Sequence, residues 1–414
     1  MKRKQTIGDF LLRRLQEVGI KHVFGVPGDY NLGLMQQLED RGEPAWIGNC
    51  NELNASYATD AYARINGLGA LSVTYGVGAL SAINGIAGAY SEHVPVICIC
   101  GSLPLRAIQR GDLMHHTLAD PEKGNLLRIF SEVTATQTRL TPESAVAEID
   151  RLILTSWRRK LPVYLELPSD ISYLDIEVPV GPLRLEMLPS EPERLKSCTE
   201  MILKRMNAAN SPAFLLDIDA IRFDVSGQVM KLAERFQMQV ATLNCAKDAV
   251  PESSPQFIGT YAGMASSRAT REAIETSDCL LTVGYRRIET TVGFFTAKLP
   301  PSAIHLNPTS IDAEDKNYQG VYIAEVLQSI VDSSSGIVTK KQPTRPPKQS
   351  AFVPSNGSLS QDAYWKAIQD FLRPGDVIVV PSFGCLMQCD AVLISGNVIV
   401  NESMLTGLFD SIIN

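Results

Sequence analysis

Apolar positions follow two alternating patterns along the first part of the chain. After Thr6, apolar residues such as Phe10, Leu11 and Leu15 recur on one helical face, and Gly19 follows as a helix-ending residue. Stretches such as ALSVTYG and VPVICICG are instead continuously apolar, which is typical of strands buried on both faces of a parallel sheet. This alternation predicts an α/β fold in which helices cover a parallel sheet.

The first region therefore has a predicted order of elements. After the helix that Thr6 begins, the pattern predicts strand HVFGVPG, a helix from about Asn31, strand AWIGN, helix Glu52 to Arg64, strand ALSVTYG, helix GALSAINGIAGAY, strand VPVICICG, a helix opened by Thr141-Pro142 and running to about Trp157, and strand VYLEL. Each early strand ends in a turn that contains glycine.

A second α/β pattern follows, with strands AFLLDI, QVATLN, CLLTVG and AIHLN. A Pro-, Ser- and Lys-rich stretch comes next and is typical of an extended linker. Ser360 then caps a predicted helix, QDAYWKAIQDFL, ahead of strand VIVV. We predict domains over residues 1–182 and 190–332, a linker over 333–358, and an incomplete third domain over 359–414, because too few residues remain for a full one.

Composition narrows the class of protein. The 414 residues carry a net charge of −7 with no basic stripe, so nucleic acid is not expected as a partner. The eight cysteines contain no C-x-x-C pair, which favours reduced thiols over disulfides or a zinc site. The N-terminal segment lacks the apolar core of a signal peptide, and no apolar run is long enough to span a membrane. These features predict a cytoplasmic protein.

Several stretches carry a resemblance to a known family. The sequence resembles the thiamine-diphosphate-dependent pyruvate and indolepyruvate decarboxylases from Met1 to about Asp376, through GVPGDYN, NCNELNASYATDAYAR, TYGVGALSAINGIAGAYSE, PVICICGS, MHHTLAD, VPESSPQFIGTYAG and LSQDAYWKAIQDFLRPGDVIV. The resemblance implies a pyrimidine-binding first domain. The middle domain has no Gly-rich dinucleotide fingerprint, so we expect it to be structural or regulatory and to bind no nucleotide. It also implies non-oxidative decarboxylation of a 2-oxo acid to an aldehyde and CO2, with thiamine diphosphate and Mg²⁺, in a dimer or tetramer.

Glu52 is the residue to which the resemblance assigns cofactor activation. In the family, the Glu of N-E-L-N hydrogen-bonds a ring nitrogen of the aminopyrimidine and so helps the cofactor lose its thiazolium proton. From spacing alone, the preferred interpretation of Glu52 is an ordinary acid at the start of a helix, where the dipole favours negative charge; the match of the surrounding sequence to the family reverses this preference. The resemblance further implies that Thr74, Gly76 and Val77 lie against the aminopyrimidine, although such a glycine turn is also common between a strand and a helix.

The resemblance also assigns proton handling to Asp29, His115 and His116. Taken alone, Asp29 is a turn or capping residue, and two adjacent histidines in a loop are a weak signal. In the family, the aspartate lies near the substrate carboxylate, and the histidine pair assists proton transfer and product release. His116 is also expected to contact the cofactor.

One expected motif is missing from the sequence. Family members carry G-D-G followed about thirty residues later by Asn, and these residues bind Mg²⁺ and the diphosphate. Gly-Asp occurs here at Gly28-Asp29, Gly111-Asp112 and Gly375-Asp376, and none of these pairs continues into that motif. The sequence therefore predicts no metal site of its own and a chain truncated before its diphosphate anchor, which makes turnover by this chain alone doubtful.

The tail has a different resemblance. From about Pro374 it is similar to the actuator segment of P-type cation-transporting ATPases, although the expected T-G-E-S loop breaks after Thr406-Gly407. We expect low order after about Pro381. Three hypotheses stay open: a decarboxylase subunit that works with a full-length homologue, a non-catalytic paralogue or regulatory subunit that keeps the dimer surface, and a chimeric gene model. The identity of the substrate also stays open among pyruvate, indolepyruvate and other 2-oxo acids.

Overall fold

Two sheets organise the chain, and both are built from the short apolar runs of the sequence. The computed structural model describes residues 2–119, 122–313, 316–333 and 360–373. The elements of the first unit are β1 Lys2–Thr6, α1 Ile7–Glu17, β2 His22–Gly25, α2 Leu32–Arg41, β3 Ala45–Gly48, α3 Glu52–Asn66, β4 Gly69–Thr74, α4 Val77–Ser91, β5 Val96–Ser102, α5 Leu105–Arg110, α6 Asn125–Ser131, β6 Gln137–Arg139, α7 Ala145–Arg159, β7 Val163–Pro168 and β8 Asp175–Pro179.

The first sheet has the strand order β3-β2-β4-β5-β7-β6, and all of its neighbours are parallel. Every residue of β4, β5 and β7 is buried, as their continuous apolar character predicts. From β2 the chain moves outward to β3 and then returns to β4 on the other side. The carboxyl ends of β2 and β4 therefore form a topological switch point, which is where open α/β sheets bind ligands.

The second unit has its own sheet and core. Its elements are α8 Pro192–Ala208, β9 Pro212–Leu216, α9 Asp219–Arg222, α10 Ser226–Phe236, β10 Gln239–Thr242, β11 Phe257–Thr260, α11 Arg268–Glu275, β12 Cys279–Val283, β13 Ile304–Asn307, β14 Ser310–Ala313, β15 Lys316–Gln319 and α12 Ile323–Ser333, with short 3₁₀ helices at Asn244–Ala249 and Gly263–Ala265. The order is β11-β10-β9-β12-β13-β14-β15. Five strands are parallel, and β14 and β15 add antiparallel pairs at one edge. The predicted α/β class is confirmed for both units.

Several elements differ from the sequence prediction. Strand β1 pairs antiparallel with β8 and forms a two-stranded sheet with it. The polar sequence of β1, KRKQT, does not predict this pairing. Helix α7 begins at Ala145, so the prediction of a helix from Thr141 is wrong. The Thr141 hydroxyl accepts the Ser144 N–H at 3.2 Å and the Ser144 hydroxyl accepts the Thr141 N–H at 3.1 Å, which makes this segment a turn.

The predicted helix caps are present. The Thr6 hydroxyl accepts the Asp9 N–H at 3.2 Å at the start of α1. Ser360 accepts the Ala363 N–H at 3.1 Å at the start of α13 (Gln361–Phe371). Strand VIVV, the tail and nearly all of the predicted linker lie outside the described residues.

Polar contacts join the two units at the end of α4. His93 Nδ1 lies 2.6 Å from the buried carboxylate of Asp219, and Arg222 Nε donates to the Glu92 carbonyl at 3.2 Å. Arg286 also donates to the backbone carbonyl of Ser91, the last residue of α4. Within the described ranges, the six cysteines are unpaired and no helix is long and apolar enough to cross a membrane.

Candidate active site

The turn that follows β2 presents the first predicted site residue, Asp29. Asn31 is fully buried beneath this turn, where its Oδ1 accepts the Gly28 N–H at 2.7 Å. The same amide donates to the Val26 carbonyl at 3.1 Å and to the Ser72 hydroxyl at 3.3 Å. Because Asn31 ties the turn to β4, the exposed Asp29 carboxylate is held at a defined place beyond the sheet.

The loop between α5 and α6 brings the histidine pair to Asp29. His115 Nε2 lies 2.9 Å from Asp29 Oδ2, although 86 positions separate the two residues in the sequence. The rings of His115 and His116 meet edge to face, with centroids 4.7 Å apart. His116 Nδ1 is buried and has no hydrogen-bond partner within the part of the chain that the structure describes. It is therefore a polar atom that can bind a ligand.

The turn between β4 and α4 connects the remaining predicted residues. A Cβ atom added to Gly28 would lie 2.6 Å from the Cβ of Thr74, and one added to Gly76 would overlap the backbone carbonyl of His116. Gly76 has φ +67° and ψ −102°, a conformation that favours glycine. The Asp29 turn and the histidine loop therefore both pack closely on this one glycine turn.

Glu52 reaches the same turn from α3. The Asn51 side chain caps that helix by accepting the Asn54 N–H at 2.8 Å, which places Glu52 in the first turn. Its Oε1 would lie 3.1 Å from a Cβ atom on Gly78 in the first turn of α4. The half-buried carboxylate is thus directed towards the glycine surface of α4, while Val77 is exposed beside it.

Two residues of this site were not predicted from the sequence. Asn31 locks the aspartate turn, and Tyr30 packs its ring on the imidazole of His115 with centroids 4.9 Å apart. Burial raises the pKa of the Tyr30 hydroxyl, and the charge of Asp29 raises it further. The signal available in the sequence was G-D-Y-N itself, in which a large aromatic residue stands inside a tight turn.

Comparison with known proteins identifies the two described units. Residues 5–121 match the family described as thiamine pyrophosphate enzyme, N-terminal TPP binding domain, and residues 199–330 match its central domain. Pyruvate decarboxylase isozyme 1 of Saccharomyces cerevisiae is 34% identical over 384 residues, which cover 90% of this chain and 68% of that protein. The chain belongs to the pyruvate decarboxylase family.

Other pyruvate decarboxylases support the same assignment. The Aspergillus fumigatus protein is 34% identical over 92% of this chain and 68% of its own length, and the Aspergillus terreus protein is 36% identical over 90% and 66%. The family resemblance inferred from the motifs is confirmed, and the chain is by family a thiamine-diphosphate-dependent carboxy-lyase. Residues 353–412 match the P-type ATPase actuator domain, and most of that match lies outside the described residues.

The residues present fit the aminopyrimidine end of thiamine diphosphate. Glu52 supplies a half-buried carboxylate at the first turn of α4, and His116 Nδ1 is a buried polar atom with no hydrogen-bond partner among the described residues. The described residues do not offer a comparable site for a metal ion. Among the residues described, no group of three or more His, Cys, Asp or Glu side chains could hold one.

Proposed function

We propose that this chain takes part in the decarboxylation of a 2-oxo acid of the pyruvate or indolepyruvate type to an aldehyde and CO2. The supporting observation is that the segments that carry Asp29, His115 and Glu52 all pack on the turn between β4 and α4, through Gly28, His116 and Glu52 itself. The side chains of Asp29 and His115 also lie 2.9 Å apart. The switch-point location of that turn agrees with a ligand site. Bound there, thiamine diphosphate would supply the electron sink for decarboxylation.

The family resemblance supports a role for each side chain. Glu52 would hydrogen-bond a ring nitrogen of the aminopyrimidine and hold the proton there, on a surface formed by Thr74, Gly76 and Val77. Asp29 and His115 already share a hydrogen bond of 2.9 Å, so they can pass a proton between Oδ2 and Nε2.

His116 completes this proposed assignment. Its buried Nδ1 can donate to or accept from the cofactor or the substrate, because the described protein groups do not occupy it. By resemblance we further propose Mg²⁺ as a cofactor, a dimer or tetramer that can include a full-length homologue, and a cytoplasmic location.

The test is a complementation assay for aldehyde release. This chain would be supplied with thiamine diphosphate, Mg²⁺ and pyruvate or indolepyruvate. It would be assayed alone and mixed with a full-length relative whose glutamate aligned with Glu52 is replaced by glutamine. We expect aldehyde release in at least one arrangement, and we expect Glu52→Gln in this chain to lower it by about 10²-fold or more.

Glu200→Gln is the matched control. Glu200 is exposed on α8, so the same chemical change should leave aldehyde release unaltered. Two results would remove the proposal: no aldehyde in any arrangement with either substrate, or a Glu52→Gln chain as active as the unchanged one.

A further inference from the structure

Tyr30 forms a rigid support beneath His115. Its side chain is 6% exposed, and its ring lies nearly parallel to the imidazole, with an interplanar angle of 19°. The rings of Tyr30 and Tyr75 pack edge to face, with centroids 6.4 Å apart, and the backbone N–H of Tyr30 donates to the Thr74 hydroxyl at 3.4 Å. A Cβ atom added to Gly101 would overlap the Tyr30 carbonyl, so the backbone of Tyr30 also packs closely against Gly101 in β5.

The two ring nitrogens of His115 have different partners. Nε2 lies 2.9 Å from Asp29 Oδ2, and Nδ1 lies 3.2 Å from the hydroxyl of Tyr30. An ionised carboxylate can only accept a hydrogen bond, so Nε2 carries the hydrogen in that contact. In the neutral ring Nδ1 then has a free lone pair, to which the Tyr30 hydroxyl can donate.

The same hydroxyl has a second acceptor within reach. The backbone carbonyl of His115 lies 3.2 Å from the Tyr30 oxygen. When His115 gains a proton at Nδ1, that N–H donates to the phenolic oxygen, and the hydroxyl hydrogen turns to the carbonyl. The hydroxyl is therefore hydrogen-bonded in both protonation states, and the ring need not rotate between them.

We propose that Tyr30 is a positioning residue. It holds the His115 imidazole in hydrogen-bond contact with Asp29 while the imidazole gains and loses a proton. This inference rests on the proposed function in one respect, since it takes His115 as a proton-transfer group. The phenyl part of Tyr30 contributes packing that phenylalanine would also provide. The hydroxyl is the part that distinguishes positioning from packing, because a buried hydroxyl needs a hydrogen-bond partner.

The experiment compares Tyr30→Phe with the unchanged chain by nitrogen NMR of ¹⁵N-labelled histidine, with both proteins in the same mildly alkaline buffer. Loss of the hydroxyl should move the Nδ1 resonance of His115, because that atom loses its donor, and should leave the His116 resonances in place. In the complementation assay we expect Tyr30→Phe to slow turnover about tenfold, because a tenfold change in rate corresponds to the free energy of about one hydrogen bond. We expect KM to change by less than about twofold.

Tyr75→Phe is the matched control. Tyr75 is a buried neighbour in the same aromatic group, but its hydroxyl donates to the Lys123 carbonyl at 3.4 Å. This variant should leave the His115 Nδ1 resonance unmoved. An unmoved resonance in Tyr30→Phe would overturn the proposal, as would an equal shift in both variants. The NMR comparison decides the question even if no arrangement releases aldehyde, so a failure of the proposed function is recognised separately.

Discussion

Gly76→Ala is expected to damage both the stability of the first unit and its candidate site. The residue has φ +67° and ψ −102°, and a side chain in such a conformation costs about 1–3 kcal/mol. Its new Cβ would also overlap the carbonyl oxygen of His116 and lie 2.9 Å from the carbonyl carbon, whereas ordinary Cβ contacts begin at 3.4 Å. Relieving that overlap in a packed loop costs about another 1–3 kcal/mol.

The free energy of unfolding should therefore fall by roughly 2–6 kcal/mol, measured by urea unfolding monitored with circular dichroism. The histidine loop must move by about 1 Å, and a displacement of this size can slow a reaction by about 10²-fold. Turnover in the complementation assay should fall accordingly, and the ¹⁵N resonances of His115 and His116 should shift.

Gly67→Ala separates backbone strain from the contact with the histidine loop. Gly67 ends α3 with φ +81°, and a Cβ atom there would have no neighbour within 4 Å. This variant should lose only about 1–2 kcal/mol, the cost of the left-handed conformation, and should keep its turnover. Equal losses of stability in the two variants, or unchanged histidine resonances in Gly76→Ala, would refute the close packing of the loop on this turn.

Two further predictions concern buried charges. Burial lowers the pKa of Lys160 to about 8, so the unfolded chain binds this proton more tightly and stability rises as pH increases from about 8 towards 10.5. In urea unfolding at neutral pH, the free energy of unfolding of Lys160→Met should exceed that of the unchanged protein by at most about 3 kcal/mol. Near pH 9.5 this difference should be smaller by about 2 kcal/mol, and a difference independent of pH would contradict the prediction. Glu166 is fully buried and bonds Arg139 Nε at 2.5 Å, so Glu166→Gln should cost about 3 kcal/mol in the same assay. Glu148→Gln, in an exposed ion pair, should cost less than about 1 kcal/mol, and equal costs would contradict the buried-pair argument.

Local signals in the sequence predicted much of the fold. Continuous apolar runs are a consequence of burial on both faces, so most parallel strands of the two sheets could be recognised before their order was known. The short strands β6 and β11 were not predicted. Capping side chains act within three residues, and Thr6 and Ser360 could therefore be identified from spacing alone. Short polar strands such as β1 and β15 gave no comparable signal, because edge pairing depends on a distant partner rather than on their own composition.

The sequence by itself determined most of the helices and buried strands, the family, and the acidic and histidine residues of the candidate site. Only the tertiary structure decided which atoms meet: His115 Nε2 with Asp29, Tyr30 with His115 Nδ1, and Glu52 with the first turn of α4. The physical reason is that these contacts join segments far apart in the chain, and their distances are set by sheet order and by the close packing of the glycine turn after β4. A sequence motif shows which side chains are available to a site. The packing of the turn after β4 determines which nitrogen of His115 faces the Asp29 carboxylate.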